Sequence, residues 1–149
     1  MIARHRIGLI ALTLSTLWHS MPASSQTVKV AKPYLVEWVF RARYGHQDEW
    51  WRLFQKYQIA ELDEEQRRGY VRSYSVFRPG LHTSEDSRWD YRIVIAYNGY
   101  EGSTHEPEVE KALFPDAASL RKDEDRRWEL TENHWDLPIH EIDPHAVAE

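Results

Sequence analysis

HTSEDSRWDYRIVIAY, residues His82 to Tyr97, is a charged approach running into an apolar strand. Trp89, Tyr91, Ile93, Ile95 and Tyr97 recur every second residue and share one face; Arg88, Asp90, Arg92, Val94 and Ala96 share the other. Asn98 and Gly99 end the run. Upstream, YVRSYSVFR (Tyr70 to Arg78) reads as another strand, stopped by Pro79 and Gly80. Leu81 to Ser87 then forms the connecting hairpin loop. Two hairpin-linked strands therefore occupy the middle of the chain, and their flanks decide the architecture.

Before them, YLVEWVFRARY (Tyr34 to Tyr44) alternates as a strand and Gly45 breaks it. Asp48 to Arg68 follows as a helix, with Trp50, Leu53, Phe54, Tyr57 and Ala60 or Glu61 on one stripe. Its acidic start and basic end suit the helix dipole, and Gly69 suits the cap. After the hairpin, Ser103 or Thr104 can cap a helix that runs to about Phe114. Pro115 interrupts it, and Asp116 caps a second helical stretch reaching about Leu130. HWDLPIHEI (His134 to Ile142) is the last strand, placed at a sheet edge by Pro138. Its Trp135, Leu137 and Ile139 are expected against the helices, with His134, Asp136 and His140 on the other face.

The order is β-α-β-β-α-β. This is the ferredoxin-like, α+β pattern: a four-stranded antiparallel sheet in the order 4-1-3-2, with both helical regions on one face. The uncovered face mixes Leu35, Val39, Tyr70, Tyr74, Val76, Val94, Ala96 and Ile142 with Glu37, Arg41, Arg43, Arg72, Asp90, Arg92, Asp136 and His140. A sheet face this apolar calls for a partner, and a second copy is the simplest one.

The 149 residues suffice for one domain; 42% are hydrophobic and 29% charged, which fits a globular chain. A formal net charge of -5 gives no reason to expect nucleic acid as partner. There is no cysteine, so disulfides and thiol chemistry are excluded. Arg4 and Arg6, the apolar run Ile7 to Leu17 and the small residues of MPASSQ (Met21 to Gln26) form a secretory signal pattern. The expected organisation is a signal peptide at 1–25, a mobile leader at 26–33, the folded domain at 34–143 and a tail at 144–149. The protein is then exported, periplasmic or extracellular, and without stable membrane insertion once the signal is cleaved.

The opening YLVEWVFRARYGHQDEWW, with glycine after the first strand, together with GLHTSEDSRWDYRIVIAYN and RRWELTENHWDLPIHEID, resembles the dimeric α/β-barrel superfamily, in particular its uncharacterised exported members. The resemblance covers about Pro33 to Asp143. It implies two ferredoxin-like sheets packed face to face as a barrel in a homodimer. Members include cofactor-free monooxygenases, haem-handling enzymes, small-molecule isomerases and proteins with no known chemistry, so the fold does not choose a function.

The chemistry-bearing residues gather on the hairpin loop and the uncovered face. Asp86 can orient His82 as a general base; alternatively, Asp86 and its neighbours make only turn hydrogen bonds. Arg41, Arg72, Arg88, Asp90, Arg92 and His140 are the candidate ligand-binding set if the barrel interior is a cavity. The same charges can instead form a structural ion-pair network, since buried charges must be paired. His134 and Asp136 share a face, but His140 lies about 20 Å from His134 along an extended strand, so no metal site is expected. GxGxxG and GxSxG spacings are absent, and no cofactor is expected. Three readings follow: a homodimer binding a small aromatic or anionic molecule in a half-polar barrel cavity, a cofactor-free enzyme of the monooxygenase or isomerase type using His82 and Asp86, or a non-catalytic structural module.

Overall fold

The computed structural model describes residues 32–81 and 83–146. The expected signal and most of the expected leader, residues 1–31, lie outside the described residues, as do His82 and the last three positions. Four strands, β1 (Tyr34–Ala42), β2 (Val71–Phe77), β3 (Tyr91–Tyr97) and β4 (Thr131–Ile139), form one antiparallel sheet in the order β2-β3-β1-β4. This is the expected 4-1-3-2 order, with β4 and Pro138 at an edge. Between β1 and β2 lie α1 (Gln47–Phe54), a π-helical turn (Gln55–Ile59) and α2 (Ala60–Arg68). Between β3 and β4 lie α3 (Gly99–Gly102), α4 (Glu106–Leu113) and α5 (Ala117–Glu129). No helix among the described residues is long and apolar enough to cross a membrane.

The core sits between helices and sheet because two periodicities meet there. Phe40 and Ala42 of β1, Val71 of β2 and Tyr91, Ile93, Ile95 and Tyr97 of β3 alternate onto the helix side. Trp50, Phe54 and Leu62 face them at helical spacing. Aromatic rings fill the centre: Trp50 stacks on Tyr91 at 4.8 Å and on Phe54 at 4.9 Å. The α2 end follows expectation, with Gly69 left-handed at φ 82°. Asp116 caps α5, accepting from the backbone N–H groups of Ala118 and Ser119.

The helix after β3 begins differently from expectation. Ser103 and Thr104 do not cap α4. Their hydroxyls donate backwards to the carbonyls of Tyr100 and Glu101, closing the short α3 turn. Gly102 in that turn is buried, and a Cβ there would stand 2.6 Å from the carbonyl oxygen of Tyr70. Gly102→Ala is therefore expected to cost about 1–3 kcal/mol. Gly80→Ala, where a Cβ meets nothing within 4 Å, should be near neutral. Urea denaturation of the two variants checks the contrast; equal stabilities would refute the close-approach argument.

A bulge in β2 and the pairing register of β4 correct the assignment of faces. Between Val71 and Ser73 the β2 register slips against β3. Tyr74 and Val76, expected on the uncovered face, therefore pack against the core, while Ser73, Ser75 and Phe77 turn outward. Between Arg41 and Ala42 the β1–β4 register slips as well. His134 stands opposite Phe40 and Asp136 opposite Trp38, so both are on the helix side. Trp135 and Leu137 stand opposite Val39 and Glu37, on the uncovered face. The expected phase of β4 is thus inverted. Hydrophobic alternation says that one face of a strand is apolar, but not which of two apolar layers it joins.

Candidate functional site

The charged start of β3 builds a tight ion-pair cluster at the rim of the sheet. Arg41 meets Glu132 at 2.9 Å and Glu85 at 3.1 Å. Arg88 meets Glu132 at 2.6 Å and Asp90 at 3.0 Å, and its guanidinium lies 3.9 Å from the centre of the Tyr44 ring. Asp90 accepts from the backbone N–H of Ala42 at 2.8 Å, and Arg88 donates to that residue's carbonyl at 3.0 Å. Glu132 is held below the usual carboxylate range by its hydrogen bond from Arg41. Arg92 stands apart on the uncovered face, 3.2 Å from Glu37 and over the Trp89 ring.

The structure thus brings Arg41, Arg88 and Asp90 together, and it does not bring the other candidates to them. Arg72 lies where β2 begins, donating to the Asn98 side chain at 3.2 Å. His140 follows the end of β4 and is exposed. Asp86 is exposed in the 3-10 turn Glu85–Ser87. His82 lies outside the described residues. Each of Arg41, Arg88 and Arg92 has a carboxylate within 3.2 Å, so this side of the molecule is electrostatically matched.

Unmatched chemistry lies on the opposite side of the sheet, in a cleft of about 290 Å³ between the strands and the helices. Trp38 and Phe40 of β1 and Trp128 of α5 supply aromatic walls. The polar lining is Gln58 from the π turn, Glu106 and Glu110 from α4, Glu124 and Arg127 from α5, and Asp136 from β4. The π turn is what sets Gln58 there. It inserts an extra residue into the helix, a device frequent at functional sites, and ties it to α5: Tyr57 donates to Asp123 at 2.8 Å and Gln58 to Glu124 at 3.2 Å.

Arg127 is the central group of the cleft. Its residue is only 4% exposed. The guanidinium sits 4.7 Å from the centre of the Trp128 ring and about 6 Å from those of Phe40, Trp50 and Phe54. Glu124 accepts from its Nε and Nη2. Its Nη1 is buried without a hydrogen-bond partner, and so is the Gln58 Oε1. Native folds seldom leave such atoms unsatisfied.

Behind the lining, two further acids are closed off from water. Glu61 is 4% and Glu65 2% exposed, and one carboxyl oxygen of each has no partner. Burial, followed by the charges of Glu106, Glu110, Glu124 and Glu65, pushes the Glu61 carboxyl up to about 8. Burial and then Glu106 push Glu65 up to about 7. Burial also raises Glu106 and Asp136; Arg127 opposes both shifts, and His134 opposes that of Asp136. Those two acids keep contact with solvent at the cleft mouth, where water screens charge, so the effect is strongest at Glu61 and Glu65. The arrangement can hold a flat molecule between aromatic walls, accept its hydrogen-bond donors, and exchange protons near neutrality.

Sequence reasoning passed over Glu61 and Glu65 and set Asp136 on the other face of the sheet. Glu61 already stood on the apolar stripe with Trp50, Phe54 and Tyr57, and an acid repeating on a buried helical face at 61 and 65 was the readable signal. Asp136 was hidden by the inverted phase of β4.

No protein-family profile and no curated relative matches the sequence. Solved structures do match the fold. A dimeric ferredoxin-like protein from an uncultured marine organism superposes with a TM-score of 0.56 at 7% identity, over 78% of this chain and 95% of that one. A NIPSNAP family protein from Agrobacterium tumefaciens superposes at 0.51 with 17% identity, over 76% and 89% of the two chains. At these identities the likeness is one of fold: the chain has a four-stranded, antiparallel, ferredoxin-like architecture.

Proposed function

We propose that this protein binds a small aromatic molecule in the cleft between sheet and helices, and that it does so as a homodimer closed through the opposite sheet face. The observation that carries the reading is Arg127: a buried guanidinium among aromatic rings, with its Nη1 left unpartnered, in the lining of a cleft with room for a ligand. A cleft of this size stands at the small end of ligand sites, and aromatic walls with a few convergent polar groups are their usual make-up. The site lies on the helix side of the sheet, whereas the sequence pointed to the barrel interior. A thermal-shift screen of small aromatic compounds tests it. Compounds that raise the melting temperature are expected to lose about tenfold in affinity on Trp128→Ala, which removes one wall. Hits indifferent to Trp128, or a screen without hits, would sink the reading.

The pairing is supported by the uncovered face. Leu35, Val39, Val94, Ala96, Trp135, Leu137 and Ile139 share it around the Glu37–Arg92 pair. Val39, between its cross-strand partners Arg92 and Trp135, is already closed off, while Leu137 is 46% and Phe77 48% exposed. A sheet face of this kind matches its own copy about a twofold axis. Light scattering at micromolar protein is expected to give a dimer, and Leu137→Asp a folded monomer. A monomeric wild type would remove the pairing and leave the cleft standing.

A further inference from the structure

We propose that the cleft takes a flat organic cation, one that carries a hydrogen-bond acceptor on the edge away from its charge. The inference rests on reading the cleft as a ligand site and assigns the class of ligand. It follows from matching the charges. Arg127 is already neutralised by Glu124 through its Nε and Nη2. Glu106 and Glu110 from α4 and Asp136 from β4 remain around the opening, with Glu61 and Glu65 of α2 behind them. The other titratable groups facing them are Tyr97 from β3, raised by burial and these same acids, and His134, beside Asp136. The cleft therefore lacks positive charge to set against its carboxyls. Of the lining residues, Gln58 keeps an unpartnered oxygen that calls for a donor, and Arg127 an unpartnered Nη1 that calls for an acceptor. Among the described residues no three acids or histidines are arranged to hold a metal ion. The walls of Trp38, Phe40 and Trp128 instead suit a flat body, and their faces attract a cation. An anionic ligand, one of the classes the sequence suggested, would meet repulsion from α4 and β4 together.

The free cleft holds some of its acids protonated, because so many carboxyls share one partly closed space. An arriving cation stabilises their charged forms, so protons leave to the buffer as it binds.

Three probes with a common phenol ring separate the outcomes: tyramine, neutral 4-ethylphenol and the anion 3-(4-hydroxyphenyl)propionate. Calorimetry at pH 7, in two buffers of different ionisation enthalpy, is expected to rank tyramine first and the anion last, at least about tenfold apart. The tyramine heat should differ between the buffers in the sense of proton release. Glu106→Gln and Asp136→Asn should bring tyramine down towards 4-ethylphenol while leaving 4-ethylphenol unchanged. Equal affinity for the three probes, or preference for the anion, overturns the cation and leaves the cleft as a binding site. Tyramine binding with no buffer dependence overturns the proton release. Failure of all three probes at millimolar concentration overturns the binding reading itself.

Discussion

Trp50→Ala is expected to lower the unfolding free energy by about 3–5 kcal/mol, a large share of the roughly 5–15 kcal/mol that holds a domain together. Trp50 is fully buried and touches every layer of the core. Its ring stacks on Phe54 of α1 and Tyr91 of β3 and lies 4.9 Å from Phe40 of β1. Its Nε1 donates to the Thr131 hydroxyl at 2.8 Å, and that hydroxyl donates to the carbonyl of Arg127 at 2.9 Å. Truncation therefore opens a cavity, leaves the Thr131 oxygen short of a donor and loosens the segment that carries Arg127 into β4. Trp50→Phe keeps much of the packing and loses the hydrogen bond, so it should cost less than half as much. Urea unfolding followed by circular dichroism measures both. A loss below about 1 kcal/mol for Trp50→Ala would mean that this ring is not the keystone of the helix–sheet core.

The architecture was legible because each element declared its own period and its own stops. Tyr91 to Tyr97 alternates strictly, and in the structure its burial alternates with it. Pro79 and Gly80, Gly69 and Asp116 each fall at the expected boundary. Two shifts of register, at Arg41/Ala42 and between Val71 and Ser73, were not legible. A bulge leaves the alternating pattern intact on either side and only exchanges the faces, so nothing local in the sequence announces it. The β2 bulge carried Tyr74 and Val76 across the sheet, and in β4 the unbroken alternation from His134 to Ile139 was read onto the opposite face. The charged residues of the uncovered face looked like the chemistry because they were dense in sequence. In space Arg41 and Arg88 find partners in Glu85 and Glu132, and Asp90 pairs with Arg88. The acids of the cleft come from α2, α4, α5 and β4, four separate stretches of chain, and only tertiary structure gathers them. The π turn is likewise a property of packing, visible in sequence only as the polar Gln58 following the buried Tyr57.

Stability is expected to peak near pH 5 and to fall by several kcal/mol towards pH 8. Glu61 and Glu65, pushed up to about 8 and about 7 from an ordinary 4.5, bind their protons more tightly in the folded chain than in the unfolded one. Below about pH 4.5 both states are protonated and neither residue costs anything. As pH rises from there, the unfolded chain releases protons that the folded chain retains, and stability drops by up to about 1.4 kcal/mol per pH unit for each such group. The fall ends near pH 7 for Glu65 and near pH 8 for Glu61, where the folded carboxyls ionise too. Glu64 acts in the opposite sense. Hydrogen bonds from Arg67 and Arg68 hold it down at about 2, so its contribution is complete above 4.5 and disappears as acid protonates it. Glu49 beside Arg126, Asp123 beside Lys56 and Glu132 beside Arg41 are lowered in the same way. These exposed pairs are weak individually, but together they set the acid side of the maximum. Glu61→Gln keeps the shape and removes the titration. It should match or fall slightly below the wild type at pH 5, exceed it at pH 8, and flatten the curve between. Urea midpoints at pH 5, 6.5 and 8 decide the matter. A wild type that gains stability over that range would show that Glu61 and Glu65 are ionised in the folded protein, with cations nearer to them than Arg127.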